Sequence, residues 1–150
     1  MKQLAATALG IALFTAPAFA DGHATGDADS GEKLFNKCKA CHMIEDEEGN
    51  TILKGGRTGP NLYGIYQRVA GSADYKYGKS LVEAGEAGLE WNEEEFVKYL
   101  ADPKKYLATY NDDKRAKSKM SFKLKKADDA ADVWAYLVSV GPEVKADSDS

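Results

Sequence analysis

The residues Cys38-Lys39-Ala40-Cys41-His42 carry the most specific chemistry in this chain of 150 residues. Two thiols at this spacing can add to the two vinyl groups on one edge of a porphyrin. A histidine directly after the second thiol can then bind the iron as an axial ligand. The C-x-x-C-H pattern therefore predicts one haem c, an iron protoporphyrin IX attached by two thioethers.

Two other kinds of site use closely spaced cysteines. A structural zinc site needs about four protein ligands, and the only other histidine or cysteine in the chain is His23. A thioredoxin-like redox pair belongs to a βαβ unit, whereas the pattern of this chain predicts no strands. Both alternatives are weaker than haem attachment.

A haem iron bound by His42 has one axial position left. Met43 adjoins His42 and cannot reach the opposite face, and Met1 lies in an N-terminal leader. His23 lies in a segment of small and acidic residues. Met120 stands among polar neighbours, where a core methionine would be out of place. Met120 is therefore the predicted second ligand, with His23 as the weaker alternative.

The N-terminus reads as an export signal. Residues 1–20 comprise a charged start, a short apolar run and the A-x-A site Ala18-Phe19-Ala20, which together are typical of a cleaved secretory signal peptide. The run is too short to span a bilayer. We therefore expect a soluble protein in the periplasm, with flexible acidic tails at residues 21–30 and 143–150 and one domain over residues 31–142.

Charge is segregated within that domain. From Lys104 to Lys126 nine basic residues stand against Asp112 and Asp113, whereas Glu83 to Glu95 holds six acids and no base. A molecule with this distribution has a pronounced dipole, which orients it as it approaches a charged partner.

The elements that must position these residues are predicted to be helices. One begins with a cap at Asp29 and runs into the Cys38 motif, and a short one covers Lys79–Ala84. A third is capped by Asn92, with Glu95 completing a capping box, and ends near Ala101 before Pro103. A last helix begins at Asp128 or Asp129 and ends at Gly141-Pro142.

The segment from Tyr106 to Ser121 is polar and is predicted to be irregular. With no strand signal, the fold class is all-α: a few helices and long loops wrapped round one haem.

Several motifs agree with one known family. With the Cys38 motif, Gly59-Pro60-Asn61-Leu62-Tyr63-Gly64, Trp91, Tyr99-Leu100 and Pro103-Lys104-Lys105-Tyr106, the chain resembles class I cytochrome c. The closest resemblance is to the bacterial cytochrome c2 group, especially the cytochrome c-550 type. It covers about Gly31 to Val140.

The resemblance implies roles for individual residues. Cys38 and Cys41 carry the thioethers, and His42 and Met120 bind the iron. The carbonyl of Pro60 accepts a hydrogen bond from the imidazole and orients it. The resemblance further places certain side chains near the haem propionates, namely Arg68, Tyr77 and Trp91. It also implies that Tyr99 packs close to Met120. Phe35 is likewise expected to pack against the last helix near Trp134 and Tyr136.

The chain departs from the family pattern before the predicted ligand. Mitochondrial-type relatives reach their methionine through a short Pro-Gly-Thr-Lys loop. Here residues 108–117 are inserted, and Ser118 stands where the threonine would be. The expected consequence is a different shape of the surface that meets partners.

The resemblance implies a periplasmic one-electron carrier rather than an enzyme. The expected donor is a quinol–cytochrome c oxidoreductase, and the expected acceptor is a terminal oxidase, a photosynthetic reaction centre or a denitrification reductase. Docking is expected through lysines at the haem edge, by a monomer: Lys37, Lys39, Lys104, Lys105, Lys117, Lys119 and Lys123.

Two other functions remain as alternatives. A haem-based gas sensor or peroxidase-like enzyme would need an open distal site, and a subunit of a larger oxidoreductase would need stable association.

Overall fold

The computed structural model describes residues 23–143. Its elements, in chain order, are α1 (Ala28–Phe35), β1 (Ile44–Glu45), β2 (Thr51–Leu53), α2 (Lys79–Glu86), α3 (Glu93–Ala101), α4 (Pro103–Tyr110) and α5 (Ala127–Ser139). Long loops join them, and within the described range no helix is long and apolar enough to cross a membrane. The architecture is the helical fold with long loops that the sequence predicts.

Helices α1 and α5 cross closely and form the base of the core. A Cβ at Gly31 would lie 1.9 Å from the carbonyl oxygen of Asp132, so only glycine permits this approach. Phe35, at the end of α1, is fully buried and its ring centroid lies 5.6 Å from that of Tyr136. Trp134, also fully buried, instead packs on Phe96 of α3 at 5.2 Å.

Helix α1 begins earlier than predicted. Asp27, not Asp29, is its cap, because the Asp27 carboxylate accepts the Ser30 N–H at 2.6 Å. Residues 28–30 therefore belong to a helix rather than to a flexible tail.

The residues just before α1 also lie against the body. The indole N–H of Trp134 donates to the carbonyl of His23 at 2.7 Å, and the Thr25 N–H donates to the Glu93 carboxylate at 2.6 Å. These contacts contradict the prediction of a free tail over residues 23–30. Residues 1–22 and 144–150, with the predicted signal peptide and nearly all of the second tail, lie outside the described range.

Helices α3 and α4 share one residue at their junction. Asn92 caps α3 as predicted, accepting the Glu95 N–H at 2.9 Å, and α3 ends at Ala101. Asp102 ends α3 and also caps α4, where it accepts the Lys105 N–H at 3.1 Å with Pro103 in the first turn.

The predicted irregular segment from Tyr106 is wrong for its first five residues, which complete α4. This helix is stabilised by tertiary packing, since Pro103 and Leu107 are fully buried and Tyr106 and Ala108 pack partly against the core.

A two-stranded hairpin is the main departure from the all-helical expectation. Ile44 pairs with Leu53, and Glu45 pairs with Thr51. Gly49 lies in the turn between the two strands at φ +85°, a conformation that glycine adopts readily. Strands of two and three residues are too short for an alternating pattern to appear in the sequence.

The remaining helices agree closely with expectation. α2 extends two residues beyond Ala84, and α5 begins at Ala127 without a side-chain cap. Residues from all five helices line one cavity together with residues of the loops.

Candidate functional site

An apolar cavity of about 280 Å³ lies between the Cys38 motif and the Met120 loop. The structure brings every predicted site residue to its wall. These residues are Cys38, Cys41, His42, Pro60, Arg68, Tyr77, Trp91, Tyr99 and Met120. Residues far apart in the chain therefore converge on a single site.

The histidine of the motif is held from behind. The turn after α1 places it, since the His42 N–H donates to the Cys38 carbonyl at 3.0 Å. Nδ1 of His42 lies 2.8 Å from the Pro60 carbonyl oxygen, which can only accept. Nδ1 therefore carries the proton, and Nε2 keeps a lone pair for a metal. Burial lowers the pKa of His42, which favours this neutral form, although the Pro60 hydrogen bond opposes the shift.

A glycine packs against the same ring. A Cβ at Gly59 would lie 2.5 Å from Cε1 of His42, well inside contact distance. The imidazole is thus fixed by a hydrogen bond at one nitrogen and by close packing on its flank.

Neither cysteine of the motif is used in a disulfide. Cys38 is partly buried, and burial raises its pKa to about 11, so the thiol is protonated at neutral pH. Cys41 is exposed at the cavity edge. Both sulfur atoms are therefore available for covalent attachment.

Ser118 brackets the main chain of Met120. Its hydroxyl donates to the Met120 carbonyl at 2.9 Å and accepts the Met120 N–H at 3.1 Å. The Tyr99 hydroxyl lies 3.4 Å from Oγ of Ser118. The sequence interpretation gave Ser118 no role, although a hydroxyl residue two positions before the methionine was a usable signal.

Arg68 is a partly buried cation that pairs with no carboxylate among residues 23–143. Its guanidinium donates to the carbonyls of Tyr63 at 3.0 Å and Asn61 at 3.3 Å. Burial lowers the pKa of Arg68, and burial raises the pKa of nearby Tyr77. This corner of the cavity is therefore suited to an anionic group of a bound molecule.

The insertion before Met120 folds back onto α2. The Asn111 amide donates to the Ser80 carbonyl at 2.8 Å, and the Lys117 N–H donates to the Ser80 hydroxyl at 3.1 Å. Ala116 is buried between these two anchors. The residues that follow reach the cavity from a tethered segment.

The comparisons with known proteins agree with this geometry. The family model for Cytochrome c matches residues 28–141. The chain belongs to the cytochrome c family.

Similar cytochromes include cytochrome c-551 of Roseobacter denitrificans, 51% identical over 140 residues, which are 93% of this chain and 96% of that one. Cytochrome c2 of Cereibacter sphaeroides is 50% identical over 143 residues, 93% and 94% of the two chains. A solved structure of cytochrome c2 from Rhodobacter sphaeroides covers 80% of this chain and all of its own, with TM-score 0.77 and 48% identity.

The family match and these relatives show that the chain is a class I c-type cytochrome of the c2/c-550 type. Its fold is the cytochrome c fold, its cofactor is one covalently attached haem c, and it is an electron carrier rather than an enzyme.

The cavity fits that cofactor. Its wall is mostly apolar, and a neutral imidazole and a thioether both reach it. At one corner lies the Arg68 guanidinium, which pairs with no carboxylate in the part of the chain that the structure describes.

Proposed function

We propose that Cys38 and Cys41 hold the haem by thioethers and that His42 and Met120 are its axial ligands. The observation that carries this proposal is the convergence of the C-x-x-C-H turn and Met120 on one apolar cavity. The bound haem supplies an Fe(II)/Fe(III) couple. The protein supplies attachment, ligands of fixed orientation and exclusion of water.

The ligand set favours the reduced state. A neutral thioether stabilises Fe(II) relative to Fe(III), and histidine–methionine ligation raises the potential. Desolvation acts in the same direction, because burial disfavours additional positive charge. We therefore expect a positive midpoint potential.

The polar corner of the cavity is proposed to hold the propionates. Arg68 offers a guanidinium not committed to any carboxylate among residues 23–143, and Tyr77 and Trp91 line the same cavity. A carboxylate paired with a partly buried guanidinium gains a charge-assisted hydrogen bond. Tyr99, beside Ser118, would keep the Met120 loop in place.

We infer that the protein works in the periplasm after cleavage of residues 1–20. The proposed donor is a quinol–cytochrome c oxidoreductase, and the acceptor is a terminal oxidase, a photosynthetic reaction centre or a denitrification reductase. The names of the relatives, cytochrome c2 and cytochrome c-550, support a soluble carrier of this kind.

Docking is proposed through the basic face at the cavity mouth. Lys37, Lys117 and Lys119 line the cavity, and Lys104, Lys105 and Lys123 line a more open depression beside Met120. All six, with Lys39, are exposed. Such a face suits the small, weak interfaces of redox encounters, and a monomer can dissociate from them quickly.

The test of the proposed ligation is the visible spectrum of the dithionite-reduced protein before and after carbon monoxide. An unchanged spectrum is expected, since His42 and Met120 together fill the axial positions. A prompt shift would mean an open distal site and would favour the gas-sensor alternative. Met120→Ala provides the positive control, because removal of the thioether should allow carbon monoxide to bind.

A further inference from the structure

Four aromatic rings run in contact from the cavity wall to the outer surface. Ring centroids lie 5.1 Å apart for Trp91 and Tyr99, 5.7 Å for Tyr99 and Tyr106, and 5.8 Å for Tyr106 and Tyr110. Trp91 and Tyr99 line the cavity, whereas Tyr110 is 37% exposed. Electron tunnelling weakens exponentially with separation, so rings in contact allow short successive steps.

One ring in this series has a base at its hydroxyl group. The Tyr106 hydroxyl donates to Oε2 of Glu95 on α3. A phenol becomes a strong acid once it loses an electron, so its oxidation is easiest where a base accepts the proton. An ionised carboxylate is such an acceptor. Among the described residues, the Tyr99 hydroxyl instead meets the neutral hydroxyl of Ser118 and no carboxylate.

The position of Glu95 follows from the start of α3. Its backbone N–H is capped by Asn92, but its carboxylate does not return to Asn92 and instead meets Tyr106 and, at 3.4 Å, Lys98. The predicted capping box is therefore not closed. The Glu95 side chain is 22% exposed, against 74% for Glu94.

The phenol is kept in its protonated form. Burial, together with the hydrogen bond to Glu95, raises the pKa of Tyr106 well above its usual range. Loss of an electron at neutral pH must therefore be accompanied by loss of the proton.

We propose that Tyr106 is a redox-active tyrosine, with Glu95 as its proton acceptor and Tyr110 as its contact with solvent. Tyr106 would reduce a strong one-electron oxidant of the class of peroxide-derived radicals. The aromatic series carries the oxidising equivalent away from the cavity wall to the surface.

One electron leaves Tyr106 for the oxidant, which is reduced by one electron. The phenolic O–H bond breaks, and its proton forms a bond to Oε2 of Glu95. A neutral tyrosyl radical and a carboxylic acid result. One electron from a small reductant at Tyr110, with return of the proton, restores the phenol.

The benefit of this relay rests on the proposed function, because its inner end is the cavity assigned to the haem. The oxidation of Tyr106 does not depend on the proposed function, since an external oxidant can oxidise the tyrosines directly. The visible spectrum of each variant reports haem ligation separately from the radical.

The experiment uses the ferric holoprotein with tris(bipyridine)ruthenium(II) and a cobalt(III) ammine quencher. A flash generates ruthenium(III), and rapid freezing is followed by electron paramagnetic resonance. A tyrosyl signal is expected in the wild type, absent in Tyr106→Phe and reduced several-fold in Glu95→Gln. Tyr110→Phe should slow its formation.

Two matched variants distinguish this site from its neighbours. Glu94→Gln removes the adjacent carboxylate, which also pairs with Lys98. Tyr75→Phe removes another cavity tyrosine, whose hydroxyl donates to the Thr58 carbonyl rather than to a base. Both should keep the full signal. Retention of the signal in Tyr106→Phe, or equal signals in Glu95→Gln and Glu94→Gln, would overturn the proposal.

A measurement on the unaltered chain completes the test. Oxidation in the presence of a nitroso spin trap, followed by peptide mapping, should label Tyr106 and Tyr110 in preference to Tyr75. Preferential labelling of Tyr75 would contradict the relay.

Discussion

The Pro60 carbonyl oxygen lies 2.8 Å from Nδ1 of His42, and this contact determines which imidazole nitrogen faces the cavity. The hydrogen bond joins two short motifs, one before and one after the hairpin in the chain. The C-x-x-C-H turn supplies the ring, and the Gly59-Pro60 segment supplies its orientation. Gly59, next to Pro60, leaves room for the imidazole ring because it has no Cβ.

Gly59→Ala should disturb this arrangement. The new methyl group would lie 2.5 Å from Cε1 of His42, so the ring or the loop must shift. Overpacking of this kind costs about 1–3 kcal/mol in the free energy of unfolding, measurable by guanidinium titration of the holoprotein.

Gly78→Ala is the control for this variant, because the nearest atom to its Cβ would belong to the flexible Lys119 side chain, at the ordinary contact distance of 3.4 Å. Equal stabilities of the two variants would contradict close packing on the ring.

Ser118→Ala should loosen the distal ligand. It removes both hydrogen bonds that bracket Met120, and a loss of about 1.4 kcal/mol would make the open form about tenfold more populated. Carbon monoxide should then bind faster to the reduced protein.

Ser118→Thr, which keeps the hydroxyl, should restore the slow rate. Ser121→Ala, an exposed serine on the other side of the methionine, should leave it unchanged. A carbon monoxide binding rate in Ser118→Ala no faster than in Ser121→Ala would contradict a role for the two Ser118 hydrogen bonds in holding Met120.

Asn92→Ala should weaken the start of α3. The variant loses the hydrogen bond to the Glu95 N–H, which costs about 1 kcal/mol of stability. Thermal unfolding followed by circular dichroism measures the loss. Asn92→Ser, which can cap equally, should recover most of it. Failure of serine to recover stability would assign the effect to something other than capping.

Asp102 should contribute to stability in a pH-dependent way. Hydrogen bonds from the Lys123 ammonium and from the Lys105 N–H lower its pKa from the ordinary 3.8. A lowered pKa in the folded state means that the contribution is complete above about pH 4. It is lost as the pH falls through the lower folded value.

Asp102→Asn keeps a capping side chain and removes the charge. Its melting temperature should therefore fall less steeply than that of the wild type below pH 4. Parallel curves for the two proteins would show that the carboxylate is not the source of the acid sensitivity.

Lys117→Glu should slow electron transfer from a purified quinol–cytochrome c oxidoreductase by at least several-fold at low salt, and less as the ionic strength rises. Lys117 is exposed and lines the cavity. Lys54→Glu makes the same change at an exposed lysine that does not line it. Rates that are flat with ionic strength would remove the steering hypothesis.

The parts of this molecule that the sequence predicted are those in which neighbouring residues carry the signal. The Cys38 motif, the Asn92 cap and the stop before Pro103 are all local. Met120 could be proposed as a ligand because a methionine among polar residues is unexpected in a core. The structure brings it to the same cavity as His42.

The parts that the sequence missed depend on distant partners. The contacts of His23 with Trp134 and of Thr25 with Glu93 join residues far apart in the chain, so composition alone suggested a free tail. Helix α4 is mostly polar, and its formation depends on burying Leu107 in the tertiary fold.

The two anchors on Ser80 divide the inserted segment into parts with different freedom to vary. Asn111 and Lys117 both hydrogen-bond to one residue of α2, so the chain between them forms a loop that is anchored at both ends. Changes within residues 112–115, which stop short of buried Ala116, need not be transmitted to Met120. This stretch is therefore a natural place to graft a peptide tag or a fluorophore attachment site while preserving the redox centre.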